Sequence, residues 1–269
     1  MHRRQLVLAA STFVLVGAAP AAFASAPSKA LLAVADGPQR TARNRVRDPF
    51  RHPARSLAFW GLAPGMTVVE IDPSGGYWTE ILAPYLRATH GRYIAALGGD
   101  RAAFKARYAD QAVWGAIEVA DFGPRSGALA PAGSADLLLT ARNIHDWIGT
   151  TGFLDKALAD FHAALKPGGI LAVEEHRADP RPMVADAKDG YVSTAWLTAA
   201  VEKAGFKLAA TSEINANHKD TKDHPFGVWT LPPTLRNHAK DQPTPPGYDA
   251  AKYQAIGESD RMTLRFAKA

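Results

Sequence analysis

Val68-Val69-Glu70-Ile71-Asp72-Pro73-Ser74-Gly75-Gly76-Tyr77-Trp78-Thr79-Glu80-Ile81-Leu82 reads as a buried strand, a tight turn and the first turns of a helix. Met66 to Ile71 is an apolar, β-branched run of strand length. Pro73, Ser74, Gly75 and Gly76 punctuate it. Trp78, Ile81, Leu82 and Tyr85 then recur at helical spacing. A strand that runs through a Gly-bearing turn into a helix N-terminus presents free backbone N–H groups, with few side chains in a ligand's way. Open α/β sheets hold nucleotide-like cofactors at such turns.

The flanking segments repeat the strand–helix alternation expected of a parallel sheet. Arg47-Asp48-Pro49-Phe50 opens a helix running through Trp60, and Pro64-Gly65 delivers the chain into the first strand. Arg92 to Leu97 is a second strand, followed by Gly98-Gly99-Asp100 and a helix from Arg101 to Tyr108. Val113 to Val119 is a third strand, followed by Asp121-Phe122. Ala135 to Thr140 is a fourth, running straight into Arg142-Asn143-Ile144-His145-Asp146-Trp147. Phe153 to Leu165 carries an apolar helical stripe. Lys166-Pro167-Gly168-Gly169 then turns into a fifth strand, Ile170 to Glu174. A helix from Thr194 to Ala204, closed by Gly205, precedes a sixth strand, Phe206 to Ile214. Arg261 to Phe266 alternates as a last strand. Between these two strands lies a Pro-rich insertion at about 215–258, a length usual for a functional loop or lid.

Glu70-Ile71-Asp72-Pro73-Ser74-Gly75-Gly76 resembles the first motif of class I S-adenosylmethionine (SAM) dependent methyltransferases, acidic-x-Gly-x-Gly-x-Gly. Asp72 and Ser74 stand where the first two glycines are expected; both are small and turn-compatible. Leu165-Lys166-Pro167-Gly168-Gly169-Ile170-Leu171 before the fifth strand is a second match to that family. The Arg-Asn-x-His-Asp-Trp stretch resembles one found in exported bacterial predicted methyltransferases. The resemblance implies a Rossmann-like, mostly parallel seven-stranded sheet with helices on both faces and the last strand antiparallel between the fifth and sixth. It implies SAM as cofactor, a small-molecule substrate, and cofactor contacts from Glu70, Asp72, Ser74, Gly75, Gly76, Asp100, Asp121, Phe122 and Asn143. Asp100 has an alternative role as a helix N-cap, and Asp121 as an Asx turn.

Residues 1–24 carry the marks of an export signal: His2-Arg3-Arg4, an apolar core from Leu6 to Val16, and Ala22-Phe23-Ala24 as a cleavage site. Arg3-Arg4-Gln5-Leu6-Val7 also resembles a twin-arginine address. The expectation is a periplasmic protein with no membrane attachment after cleavage, a flexible lead-in over 25–46, and a methyltransferase-like domain over 47–269. Formal net charge is +5, and losing Arg3 and Arg4 leaves about +3, too mild and unclustered for nucleic acid. With no cysteine, thiol nucleophiles and Cys-bearing zinc sites are excluded. His218 to His224 is polar and offers metal donors, but its spacing fits no ligand pattern and Lys219 and Lys222 oppose a cation. No metal is expected.

In an open α/β sheet the ligand sits beyond the carboxyl ends of the strands. His145, just after the fourth strand, is the candidate general base. Asp146, or Glu175 or His176 from the next strand, is placed to orient it, and Arg142 to bind an anionic substrate. The alternatives are a hydrogen-bonded loop histidine for His145, and a core position rather than a stacking surface for Trp147. The rival reading of the whole chain is a methyltransferase-fold binding protein without catalysis. A nucleotide-dependent oxidoreductase is disfavoured, because Gly-x-Gly-x-x-Gly is absent.

Overall fold

Strand β1 (Thr67–Ile71) is buried along its whole length, as an apolar run at the centre of a parallel sheet should be. It pairs in parallel with β2 (Arg92–Leu97) on one side and β4 (Ala135–Ala141) on the other. Outward from β2 lies β3 (Ile117–Asp121), and outward from β4 lies β5 (Leu165–His176). The last strand, β7 (Arg261–Lys268), runs antiparallel between β5 and β6 (Phe206–Ser212). The resulting order, β3-β2-β1-β4-β5-β7-β6, is the seven-stranded, mostly parallel sheet that the resemblance implies. This computed structural model describes residues 26–269; the expected export signal lies outside them.

Alternate side chains of each strand divide between two cores, one on each face of the sheet. Val69, Ile71, Leu138 and Val173 point to the side covered by α8 (Ile144–Ile148), α9 (Phe153–Ala164) and α10 (Thr194–Lys203). Val68, Leu137, Leu139 and Ala172 point to the other. That side is covered by α1 (Lys29–Ala35), α4 (Pro53–Phe59), α5 (Thr79–Ala88) and α6 (Arg101–Arg107).

Three expectations need correction. The lead-in is structured: α1 packs on α5 through Leu31 and Ala35, one turn apart. Helix α2 (Ala42–Arg45) follows, Arg40 pairs with Asp48 at 2.6 Å, and the Thr41 backbone N–H donates to Glu80 at 3.0 Å. The helix expected from Arg47 to Trp60 is two, α3 (Asp48–Arg51) and α4, broken at His52, whose φ is +40°. The third strand begins four residues later than its apolar run suggests. Asp110 caps a short helix, α7 (Gln111–Trp114), and Gly115 at φ +74° ends it before β3 can start. The insertion holds a 3₁₀ turn (Gly227–Thr230) and α11 (Ala250–Ile256). Asp220 anchors it, accepting from Tyr191 Oη, His224 Nε2 and the Asp260 N–H at 2.7–2.8 Å. Within the polar stretch from His218 to His224, Asp220 and His224 are thus bonded to each other. No helix among the described residues is long and apolar enough to cross a membrane.

Candidate functional site

After β1 the backbone enters the left-handed region at two non-glycine residues. Asp72 has φ +42° and Ser74 +50°, and Gly76 follows at +76°. Left-handed φ is costly for residues with a Cβ and least so for Asp and Asn. The turn therefore keeps the conformation that glycines would adopt, at the two positions where the motif has none. Its extra atoms go to a defined place: Asp72 Oδ1 accepts from the Gly98 N–H at 2.7 Å, tying the end of β1 to the end of β2.

Two cavities meet along this turn, and Asp72 and Ser74 line both. One, of about 390 Å³, lies toward β2 and is bounded by Leu97, Gly99, Asp100 and Phe104. Asp100 Oδ1 caps α6, accepting from Ala102 and Ala103 N–H at 2.9 and 3.0 Å, so one oxygen remains for a ligand hydroxyl. The other, of about 250 Å³, lies toward β4 and is bounded by Gly75, Trp78, Arg142, Asn143 and Asp146, with Arg43 and Arg47 from the N-terminal helices. Asn143 Nδ2 donates to Ile71 O at 2.9 Å, holding the ends of β1 and β4 together. Among the described residues the buried Trp78 Nε1 has no partner. The donor set suits a long ligand with hydroxyls at one end and an acid group at the other, and the space falls in the range of small-ligand sites. These residues fit SAM.

Three of the expected cofactor contacts need correction. Phe122 is a core residue, packed against Trp147 and Phe153 with ring centroids 5.1 and 5.4 Å apart. Trp147 is likewise core. Asp121 pairs with Arg101 at the exposed rim and lines neither cavity. Gly76 supports the turn from behind: a Cβ there would fall 1.8 Å from the Tyr108 hydroxyl oxygen.

Glu70, the expected anchor, lines the second cavity, but its carboxyl is engaged within the fold. Its carboxyl is buried and accepts from Thr79 Oγ1 at 3.0 Å and Tyr93 Oη at 2.5 Å, joining β1, β2 and α5. Burial pushes its pKa up to about 7, against the two hydroxyl bonds that pull it down. Between about pH 4.5 and 7 the unfolded chain has released a proton that the folded chain keeps, so stability falls as pH rises through that window. Glu70→Gln should flatten this slope, worth about 3 kcal/mol, in urea unfolding at pH 5 and pH 8. An unchanged slope would mean that Glu70 is ionised in the fold.

The third cavity, of about 170 Å³, adjoins the second through Arg142, Asp146 and Pro233. His145 and His176 line it, with Trp229, Pro232 and Pro233 of the insertion as its wall. Glu175, at the end of β5, orients His145: Oε1 accepts from His145 Nδ1–H at 2.9 Å. Oε2 accepts from the Ile144 N–H at 2.8 Å, capping α8, so one carboxylate fixes both the backbone and the ring. Nε2 is then the free lone pair, with Asp146 Oδ1 3.5 Å away. Burial presses the His145 pKa down, but the charge and hydrogen bond of Glu175 outweigh it, and the net shift is upward. Asp146, mostly exposed, stands on the Nε2 side and does not hold the ring. His176 Nδ1 pairs with Ser259 Oγ at 2.5 Å. Burial, and then the positive groups around it, hold His176 well below the usual histidine pKa.

Arg142 has φ +60°, a third left-handed non-glycine residue beside the same cavities. Beneath it Glu258 accepts from Arg47 Nε at 2.6 Å and Arg51 Nε at 2.8 Å, and pairs with Arg261. Glu174 accepts from Arg261 Nη1 at 2.6 Å. Arg43, Arg47 and Trp229 are absent from the expected site. The four arginines between Arg40 and Arg47 are a visible charge cluster, but nothing local shows that they meet the carboxyl edge of the sheet.

No family model matches the chain, and no curated protein matches it in sequence. Solved structures do match in fold. A SAM-dependent methyltransferase from Aquifex aeolicus is 15% identical, with a TM-score of 0.54 over 83% of this chain and 93% of that one. The [4+2]-cyclase SpnF is 14% identical, with a TM-score of 0.58 over 87% of this chain and 85% of that one. At such identities the likeness shows the fold, and this chain has the Rossmann-like fold of class I methyltransferases. The two proteins are named for different reactions, so the chemistry must be read from side chains.

Proposed function

We propose that this chain binds SAM along the Asp72–Gly76 turn and catalyses methyl transfer to a small-molecule nucleophile, with His145 as the general base. The observation that carries the reading is the turn itself. Asp72 and Ser74 hold left-handed φ at the cost of strain, beside two adjoining cavities that together have the size of a small-ligand site. Strain kept at a ligand-sized cleft points to a site under functional constraint. The larger cavity would take the nucleoside, with the free oxygen of Asp100 on its hydroxyls. The second would take the amino-acid end, near Arg43, whose guanidinium lies 4.0 Å from a Cβ built on Gly75. Bound there, the cofactor supplies an electrophilic methyl group on a sulfonium. His145 Nε2 takes the proton of the attacking atom, and Glu175 stabilises the imidazolium formed. Trp229 and the two prolines limit water at that point.

Calorimetry with SAM and S-adenosylhomocysteine tests the reading. Wild type should bind both, and Asp100→Ala should bind about tenfold more weakly through a lost charged hydrogen bond. No heat at high micromolar ligand would overturn it. The rival binding-only reading rests on Asp72, whose carboxylate stands where the family has glycine; cofactor binding without turnover on any nucleophile would favour it. Export completes the proposal. It is supported by Arg3-Arg4, the apolar core and Ala22-Phe23-Ala24, and by the resemblance to exported predicted methyltransferases. A mature N-terminus at Ser25 in the periplasmic fraction is the expected result; an intact Met1 in the cytosol would sink it.

A further inference from the structure

Arg142 is a partly buried charge at this cleft that the fold uses little: among the described residues its one ion-pair contact is a distant one. Its side chain makes no hydrogen bond among the described residues, and its buried Nε is without a partner. The nearest carboxylate oxygen, Glu174 Oε1, is 3.9 Å away and already accepts from Arg261. The residue is nevertheless held at φ +60°, a conformation glycine would adopt without strain. Behind it the charges do not balance. Among the described residues Arg47, Arg51, Arg142 and Arg261 share only Glu174 and Glu258. Arg47 uses Nε alone on Glu258. Arg51 leaves both terminal nitrogens unbonded, over the Tyr77 ring at 4.6 Å. Three acidic groups line the second cavity with Arg142: Asp72 is bonded to Gly98 N–H, Asp146 is mostly exposed, and the Glu70 carboxyl is bonded to Thr79 and Tyr93.

We infer that the substrate carries an oxyanion, a carboxylate or a phosphate, held by the Arg142 guanidinium in the space it shares with Arg47 and His145. The planar fork of arginine matches either group in two-point contact. Arg142 lines both inner cavities, so an anion on it lies within one small molecule's reach of His145. The inference deepens the proposed methyl transfer, on which the role of His145 as base rests; the anion site stands on Arg142 alone. A metal ion is the competing occupant, since His145, Glu175 and His176 have donor atoms within 4.8 Å of one another. Two facts oppose it. Glu175 already accepts from four N–H groups, at 2.8–3.3 Å. The surrounding guanidiniums, which help to hold His176 neutral, repel a cation as they attract an anion.

Arg142→Gly tests this with the full-length chain. Calorimetry with inorganic phosphate and with benzoate should show saturable binding of at least one, and which one identifies the oxyanion class. In the variant that affinity should fall at least about tenfold, while the melting temperature stays level or rises because glycine relieves the backbone. A purely structural arginine would instead lose stability. Arg142→Met, which keeps the stem, is the second variant should the first fail to fold. The inference is overturned if neither anion binds, if both variants bind as wild type does, or if zinc chloride alone gives heat at this cluster. SAM is titrated in the same preparations. Heat with SAM but not with an anion overturns only this inference, and heat with an anion but not with SAM overturns only the cofactor reading.

Discussion

His145→Ala is expected to lower the rate of methyl transfer by about 10²- to 10⁴-fold while SAM affinity changes little. The cofactor cavities are built from the ends of β1, β2 and β4, and His145 faces the third, beyond Arg142. Stability should fall by only about 1–3 kcal/mol, since Glu175 Oε1 keeps the His176 N–H at 2.8 Å. The two readouts separate the two roles for this residue: lost stability with unchanged specific activity would retire it as the base. The pH profile adds an independent check. A base acts in its neutral form, and Glu175 raises the His145 pKa, so the rate should climb with pH through a value above 6.5. Glu175→Gln removes the charge that raises it, and burial, the larger opposing influence, then prevails. The rising limb should move to lower pH. A limb that stays in place would mean that another group titrates.

Glu258→Ala is expected to destabilise the fold by about 3–5 kcal/mol, measured by urea unfolding at neutral pH. Glu258 is the shared acceptor of Arg47, Arg51 and Arg261, and all four side chains are almost wholly buried. Burial works against the Arg261 charge, and Glu258 and Glu174 overcome it, so its pKa is raised. Without Glu258, Arg47 and Arg51 lose their only carboxylate among the described residues and Arg261 keeps Glu174. A loss under about 1 kcal/mol would show that water reaches these guanidiniums. The same carboxylate joins α3 to the end of the insertion, so its removal should also loosen the wall formed by Trp229 and the two prolines.

The succession of strands and helices is legible in the sequence because it rests on local signals. Arg92 to Leu97 is a strand in both readings, and so is the alternating run that begins at Arg261. Period-two burial, glycine turns and caps act within a few residues, and each leaves its mark there. The misread segments are those where local signals are weak or conflict. In Val113 to Val119, Asp110 and Gly115 divide one apolar run into a helix and a strand. In the lead-in, an Ala-rich stretch hides two residues, Leu31 and Ala35, that need α5 to bury them. The site divides in the same way. That the Asp72–Gly76 turn and the stretch from Arg142 to Asp146 stand at the carboxyl edge follows from their places after β1 and β4. That Glu175 rather than Asp146 holds His145, that Glu70 and Phe122 turn into the core, and that Arg47 meets Glu258 from 211 positions away were decided only by tertiary structure. Those pairings depend on how layers stack and on which charges are shut away from water together, and no short-range pattern encodes either.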